Sequence, residues 1–442
     1  MGYQCGRVAY TLSDYSSSLM QAFVAASLGV GLVSAHGVFQ GIYQDQFADG
    51  AQAQLVALVG ALQLGCFIGL RPLAAAVGAR FGRHVTLALG VVLSSGGLLA
   101  AGVASEIWQL CLAQGVLVGA GASACETAGV TMSPLARDVA HWAVVGAGIG
   151  GGALALVAGA LAQSLGSTAL ALRWLALTVF VGQLSALLLL GRWSAFVPRE
   201  PAGDKLGYGA AGASGQPKVT TSAFPGPRRN VARRAWLQLT QDPGSVLGMA
   251  GDVLHSMGAP LPLLYLPSYA SLLLQAGGAP LPCAAPLVLL CVASAAGAPL
   301  ARALLTRHCQ SPVLLLGAAR AGASLAMWCL WLPAGSSWLA TCSFALVYGL
   351  MLGTAGYARR IAEDDHSAPA RIAPLAASAA ALAGAAAAAW LVATPDRSPP
   401  FMPLIAFAAA ATLAAAAATV ASAACSNSKS RITSLPVTCT GW

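Results

Sequence analysis

Charge is what this chain of 442 residues has least of: Asp, Glu, Lys and Arg make up 8% of it, against 57% hydrophobic residues and a mean hydropathy of +0.72. So few charged groups cannot cover a water-soluble globule, and the chain needs lipid around it. Paired cysteines at CxxC spacing are also missing. The eleven cysteines, among them Cys66, Cys111, Cys291 and Cys329, fall mostly inside apolar stretches and read as small hydrophobes. No glycine loop precedes a Lys-Ser/Thr for a nucleotide phosphate, no His/Cys/carboxylate spacing suits a metal, and no Ser/His/Asp set is evident. An enzyme, a metal site and an organic cofactor are therefore not expected. Residues 1–18 are polar and the first apolar run is long enough to span, so no cleaved leader is expected either.

What charge there is has a pattern. Of 23 lysines and arginines, all but Arg173, Arg320 and Arg397 fall in the termini or in five short segments: Arg71 to Arg83, Arg137, Arg192 to Arg234, Arg302 to Arg307, and Arg359 to Arg371. Between neighbouring segments lies enough apolar sequence for two crossings. The opposite loops, near Asp45 and Asp49, Glu106, Ser167, Gly277, Pro333 and Asp396, are short and nearly free of positive charge. Cytoplasmic loops collect Lys and Arg, so both termini and the five cationic loops are expected in the cytosol. The net charge of +9 sits mainly on those loops, where it sets orientation and meets anionic lipid; nucleic-acid binding is not expected.

At roughly 20 apolar residues per crossing, about twelve helices are expected. They fall near 19–42, 53–77, 85–104, 107–132, 142–165 and 170–191, then 244–272, 283–304, 311–332, 337–358, 372–393 and 401–424, and are numbered helix 1 to helix 12. The polar stretch Trp193 to Pro243, rich in Gly, Ser and Pro before a basic cluster, separates two groups of six. The expected layout is a cytosolic tail (1–18), a six-helix bundle (19–191), a cytosolic central loop (192–243), a second bundle (244–424) and a cytosolic tail (425–442). The halves echo each other after their second helix, where GLRPLAAAVGARFGRHVTLALG is answered by GAPLARALLTRHCQSPVLLLG. Such a repeat points to pseudo-symmetric bundles rocking around a central site. The runs GVLVGAGASA (Gly115 to Ala124) and GAGIGGGALA (Gly146 to Ala155) put small residues on neighbouring turns and read as close helix packing.

ARFGRH (Ala79 to His84) resembles the loop motif of the major facilitator superfamily, Asp-Arg-x-Gly-Arg-Arg/Lys, with Arg80, Gly82 and Arg83 matching and Ala79 in place of the Asp. AHGVFQGIYQ in helix 1, EIWQLCLAQGVLVGAG entering helix 4, ALRWLA in helix 6, YLPSYA in helix 7 and FALVYGLMLG in helix 10 resemble, in the same order, the fungal monocarboxylate-transporter-like branch. The resemblance implies an all-α integral membrane protein in two six-helix bundles, with Arg80, Gly82 and Arg83 as a cytoplasmic gate motif. It further implies a secondary active transporter for a small organic solute, a monocarboxylate-like anion or hydrophobic acid, with the monomer as working unit; a proton is a candidate partner, but proton-monocarboxylate symport is not carried over. The alternatives are a proton-driven exporter of a secondary metabolite and a non-transporting nutrient sensor of the same fold. The plasma membrane is the expected location, with the vacuolar membrane second. The lysine of animal members near Ser34, and their Asp-x-x-x-Arg pair, near Ser294 and Ala298, are absent.

The same resemblance implies that helices 1, 4, 7 and 10 line the central cavity, which sorts the intramembrane polar residues. An acidic side chain in a spanning helix costs about 2.5–3.5 kcal/mol and needs a partner or water. Glu126 on helix 4 and Asp252 on helix 7 are the acids in question, and His255, three residues after Asp252, shares its helix face. His36 and Gln40 on helix 1 and Tyr348 on helix 10 complete the candidates for solute contact or proton coupling. Arg320 lies on helix 9, expected at the periphery, and is left open between a lipid-facing side chain that snorkels, an internal ion pair and a solute contact, while Arg173 reads as an interfacial anchor. Pro260, Pro262 and Pro267 remove backbone donors from helix 7, which is expected to kink.

Overall fold

The computed structural model describes residues 12–47, 51–131, 136–194, 243–274, 279–308, 311–334, 337–365, 373–393 and 401–433. The body of the predicted central loop, the first eleven residues, the last nine, and the predicted turns at Asp49, Gly277 and Asp396 lie outside the described residues.

Helix 1 runs over Leu12–Gln46, and helix 2 is a bent pair, Ala51–Gly69 and Arg71–Phe81, turned by 45°. Helix 3 is Arg83–Ala101, helix 4 Ile107–Val130, helix 5 Ala136–Leu165 and helix 6 Thr168–Ser194. Helices 7 to 12 are Pro243–Leu274, Pro280–Arg307, Pro312–Ala334, Trp338–Asp365, Ala373–Ala393 and Met402–Thr433. Among the described residues eleven helices are long and apolar enough to cross a membrane, and the bent pair makes twelve. The chain is a multi-pass, all-helical membrane protein.

Several predicted loops prove to be helix. Arg71–Phe81 is the second piece of helix 2, Arg302 and Arg307 lie in the last turns of helix 8, and Arg359 and Arg360 lie inside helix 10. The hydropathy of these stretches is lowered by their charges, yet their backbone stays helical because the charged heads reach partners at the bilayer edge. Helix 1 likewise begins inside the predicted tail, and helix 12 continues past 424.

The packing follows a two-fold rule. Helix 1 lies on helix 5 as helix 7 lies on helix 11, helix 3 on helix 6 as helix 9 on helix 12, and helix 2 on helix 4 as helix 8 on helix 10. The halves meet through helix 5 on helix 8, through its counterpart helix 2 on helix 11, and on the axis where helix 1 meets the second part of helix 7. The glycines of helix 5 explain how one helix serves two bundles. A Cβ at Gly146 or Gly150 would strike the helix 1 backbone at Phe23 or Ser27, and one at Gly148 would strike helix 8 at Cys291 and Ala295. Without a hydrophobic drive inside lipid, such backbone approach is what holds helices together.

Two local devices shape the corners. Gly82 has φ +88° and ψ 162°, caps helix 2 through its N–H to the Gly78 carbonyl, and starts helix 3; only glycine adopts this conformation without strain. In helix 7 the α-helix stops at Gly258 and resumes at Leu261, where Pro260 and Pro262 deny the ladder two donors. Tyr348 of helix 10 donates its hydroxyl to the Ala259 carbonyl at this break, at 2.6 Å.

Candidate functional site

Helices 1, 2, 4, 7, 9 and 10 place the polar interior in two zones. The first lies toward the side where helix 1 begins and helix 12 ends. Glu126, at the end of helix 4, has a side chain only 5% exposed and accepts from Arg71 of helix 2 at 2.6 Å and from Arg360 of helix 10 at 2.5 Å. The Arg360 bond joins the two halves. A second inter-half pair, Arg302 of helix 8 with Asp138 of helix 5 at 3.3 Å, closes the same side nearer solvent.

Next to these pairs is an ionic cluster within the second half. Asp252 of helix 7 accepts from Arg320 of helix 9 at 2.5 Å and faces Arg359 of helix 10 at 3.5 Å. Arg320 also donates to Thr419 of helix 12 at 2.5 Å. His255 faces the same charges, with its Nδ1 lacking a hydrogen-bond partner. Arg320 thus has the internal ion pair its burial demanded. Arg359 and Arg360 are consecutive, and one holds an acid of its own half while the other holds an acid of the opposite half.

The second zone lies further along helix 1. The Tyr43 hydroxyl donates to Gln114 Oε1 at 2.6 Å, and Gln114 Nε2 lies 3.1 Å from His36 Nδ1. With Gln114 donating, the neutral imidazole carries its proton on Nε2, which has no partner. Gln40, one turn beyond His36, is fully buried, with the Tyr265 hydroxyl as the neighbour of its carboxamide. Tyr348 points its hydroxyl away from this zone into the helix 7 break.

Of the loop motif, Arg83 donates to Gln21 of helix 1, Arg80 stacks over Phe81 with 5.4 Å to the ring centroid, and Gly82 supplies the turn. These contacts stay within the first half; among the described residues, Glu126–Arg360 and Asp138–Arg302 are ion pairs that cross between halves on this side. Arg173 donates to the Gly102 carbonyl at 3.3 Å, on the side opposite these pairs. Sequence did not point to Arg71, Arg359, Arg360 or Gln114. Two buried acids did signal that arginines must be near, and the cationic ends of helices 2 and 10 were the places to look.

No family model matches the chain. Among curated proteins it is similar to the agnestins efflux protein AgnL12 of Paecilomyces divaricatus, at 26% identity over 105 residues, which is 24% of either chain. Among solved structures it is similar to the xylose transporter XylE from E. coli in a partially occluded inward-open conformation, with TM-score 0.64, 14% identity, and 91% of this chain and 96% of that one covered. A crystal structure of a D-xylose-proton symporter matches with TM-score 0.63 and 14% identity, covering 93% and 97%. A mutant of the nucleoside transporter NupG matches with TM-score 0.62 and 9% identity, covering 92% and 99%. The fold is the twelve-helix, two-bundle major facilitator fold.

Proposed function

We propose that the chain is a secondary transporter that moves a small organic solute across a membrane by alternating access, in the direction of efflux. The observation that carries this reading is the Glu126–Arg360 pair: a buried ionic bond across the boundary between the two bundles is a contact that can break and re-form as they rock. The short similarity to an efflux protein supports the direction. The side bearing Glu126 and the cationic helix ends is the proposed cytosolic side, the plasma membrane the proposed location, and the monomer the proposed working unit. Asp252, with Arg320 and His255 beside it, is the proposed proton-coupling group, because neutralising this carboxylate removes the one negative charge that Arg320 and Arg359 share in these ion pairs. The monocarboxylate-like substrate that the resemblance implies would need a cation of its own in the cavity.

The test is a comparison of organic solutes in medium and cells with and without the chain, at two external pH values. Expression should enrich a discrete set of solutes in the medium, and Asp252→Asn should flatten the pH dependence while surface expression is kept. Unchanged solute profiles would sink the transporter reading, and an unchanged pH profile in the variant would remove Asp252 from coupling.

A further inference from the structure

Where helix 1 meets helices 2 and 7, the interior holds buried hydrogen-bonding atoms with few protein partners: His36 Nε2, Gln63 Oε1 and the Ser268 hydroxyl have none, and the Gln40 carboxamide and the Tyr265 hydroxyl have at most each other. Their residues are between 0% and 7% exposed. Their positions follow one another along helix 1, with Gln63 of helix 2 at Leu32, one turn before His36. The His36 ring lies against Gly60 of helix 2 and Leu264 of helix 7, Gln40 lies beside Tyr265, and Ser268 packs on Gly41. At this seam the backbones touch, since a Cβ at Gly37 would collide with the Leu263 carbonyl. A seam that only had to close would be apolar, because burying an unanswered polar group is unfavourable. Polar groups kept here are kept for something that enters when helix 7 moves away from helix 1.

One wall beside these groups is aromatic. From Tyr265 a chain of rings continues through Phe401, Tyr269, Trp331 and Phe344, with successive centroids 6.4, 5.6, 5.9 and 4.7 Å apart. The indole N–H of Trp331 is also unanswered. None of the seam residues is an acid or a base stronger than imidazole. The interior arginines Arg71, Arg320, Arg359 and Arg360 are held by Glu126 and Asp252 at the other zone.

We propose that this seam, lined by His36, Gln40, Gln63, Tyr265 and Ser268, is the solute site of the transporter and takes an uncharged, flat solute bearing hydroxyl or carbonyl groups. His36 Nε2–H, the Gln40 amide and the Tyr265 hydroxyl donate to its oxygens, Gln40 Oε1 and Gln63 Oε1 accept from its hydroxyls, and its ring lies on the aromatic wall. The assignment rests on the transporter reading above and replaces the organic acid as substrate class.

The probe pair is 4-hydroxybenzamide and 4-hydroxybenzoate, alike in shape and different in charge. Each is titrated against the purified full chain in nanodiscs, with thermal stability and tryptophan fluorescence as readouts, and each is tested for flux in proteoliposomes. The amide should stabilise the protein and the carboxylate should not. Gln40→Leu should keep the unliganded protein folded, with thermal stability read alongside because it also takes the Gln40 contact from the Tyr265 hydroxyl, and should weaken amide binding about tenfold or more. Tyr265→Phe should weaken binding in the same direction, and it stands in should Gln40→Leu fail to fold. Absence of an amide effect, a stronger effect of the carboxylate, or unaltered amide binding in both variants would overturn the site. Amide binding without flux of either compound would instead overturn the transporter reading and leave the site standing.

Discussion

Arg320, 1% exposed among membrane helices, keeps its charge because Asp252 and Thr419 receive it on the spot. Breaking such a pair from one side leaves the other charge stranded, a loss on the order of 3 kcal/mol, whereas removing both sides together costs much less. Arg320→Met should therefore lower stability sharply, and Arg320→Met with Asp252→Leu should recover much of the loss, as read by unfolding in mixed dodecyl maltoside and SDS micelles. Equal losses in the single and double variants would show that the pair's charge is not what matters. At this scale the sequence was half legible. Asp252, Glu126 and Arg320 stood out because apolar surroundings make each of them an anomaly, but which acid meets which base depends on residues 55 to 234 positions apart in sequence meeting in space, and periodicity does not carry that.

Elements show a different division. Hydropathy locates the spans to within a few residues because lipid demands an unbroken apolar stretch, and it fails at their ends, where Arg71–Phe81 and Arg359–Arg360 remain helical despite their charge. The glycine of ARFGRH was read as part of a gate motif, and its geometric duty is the turn between helices 2 and 3. Gly82→Ala meets no steric obstacle, since nothing lies within 4 Å of the added Cβ, so its effect isolates backbone strain of about 1–3 kcal/mol. A lowered thermal midpoint is the expected result, and an unchanged one would refute the strain argument. The break in helix 7 was foreseen from its prolines, but its partner was not: Tyr348 was a candidate for solute contact and is occupied with the Ala259 carbonyl. Tyr348→Phe should leave that carbonyl unanswered and cost about 1–3 kcal/mol of stability. Faster hydrogen exchange at residues 255–265 would be its local signature.

For the whole molecule, the two-bundle arrangement was legible from the central polar stretch and from the echo between the corner after helix 2 and the corner after helix 8, which the structure places at equivalent positions. How the bundles touch was not legible, since Gly37 is one of 50 glycines and nothing local distinguishes it. It is nevertheless where helix 1 and helix 7 meet on the axis. Gly37→Ala should keep that seam from closing, so flux should fall to background while each bundle stays folded, and hydrogen exchange should rise at residues 35–45 and 261–270. Gly349→Ala, which presses helix 10 onto Leu290 of helix 8 inside one bundle, should instead lower expression and stability. If Gly37→Ala keeps full flux, the seam does not close during the cycle.

Neighbouring residues on a helix project about 100° apart. Arg359 and Arg360, which meet Asp252 and Glu126 from adjacent positions, therefore share one stretch of backbone. Under the coupling proposed above, a rotation of helix 10 that follows loss of the Asp252 charge also shifts the root of Arg360 at the boundary between the bundles.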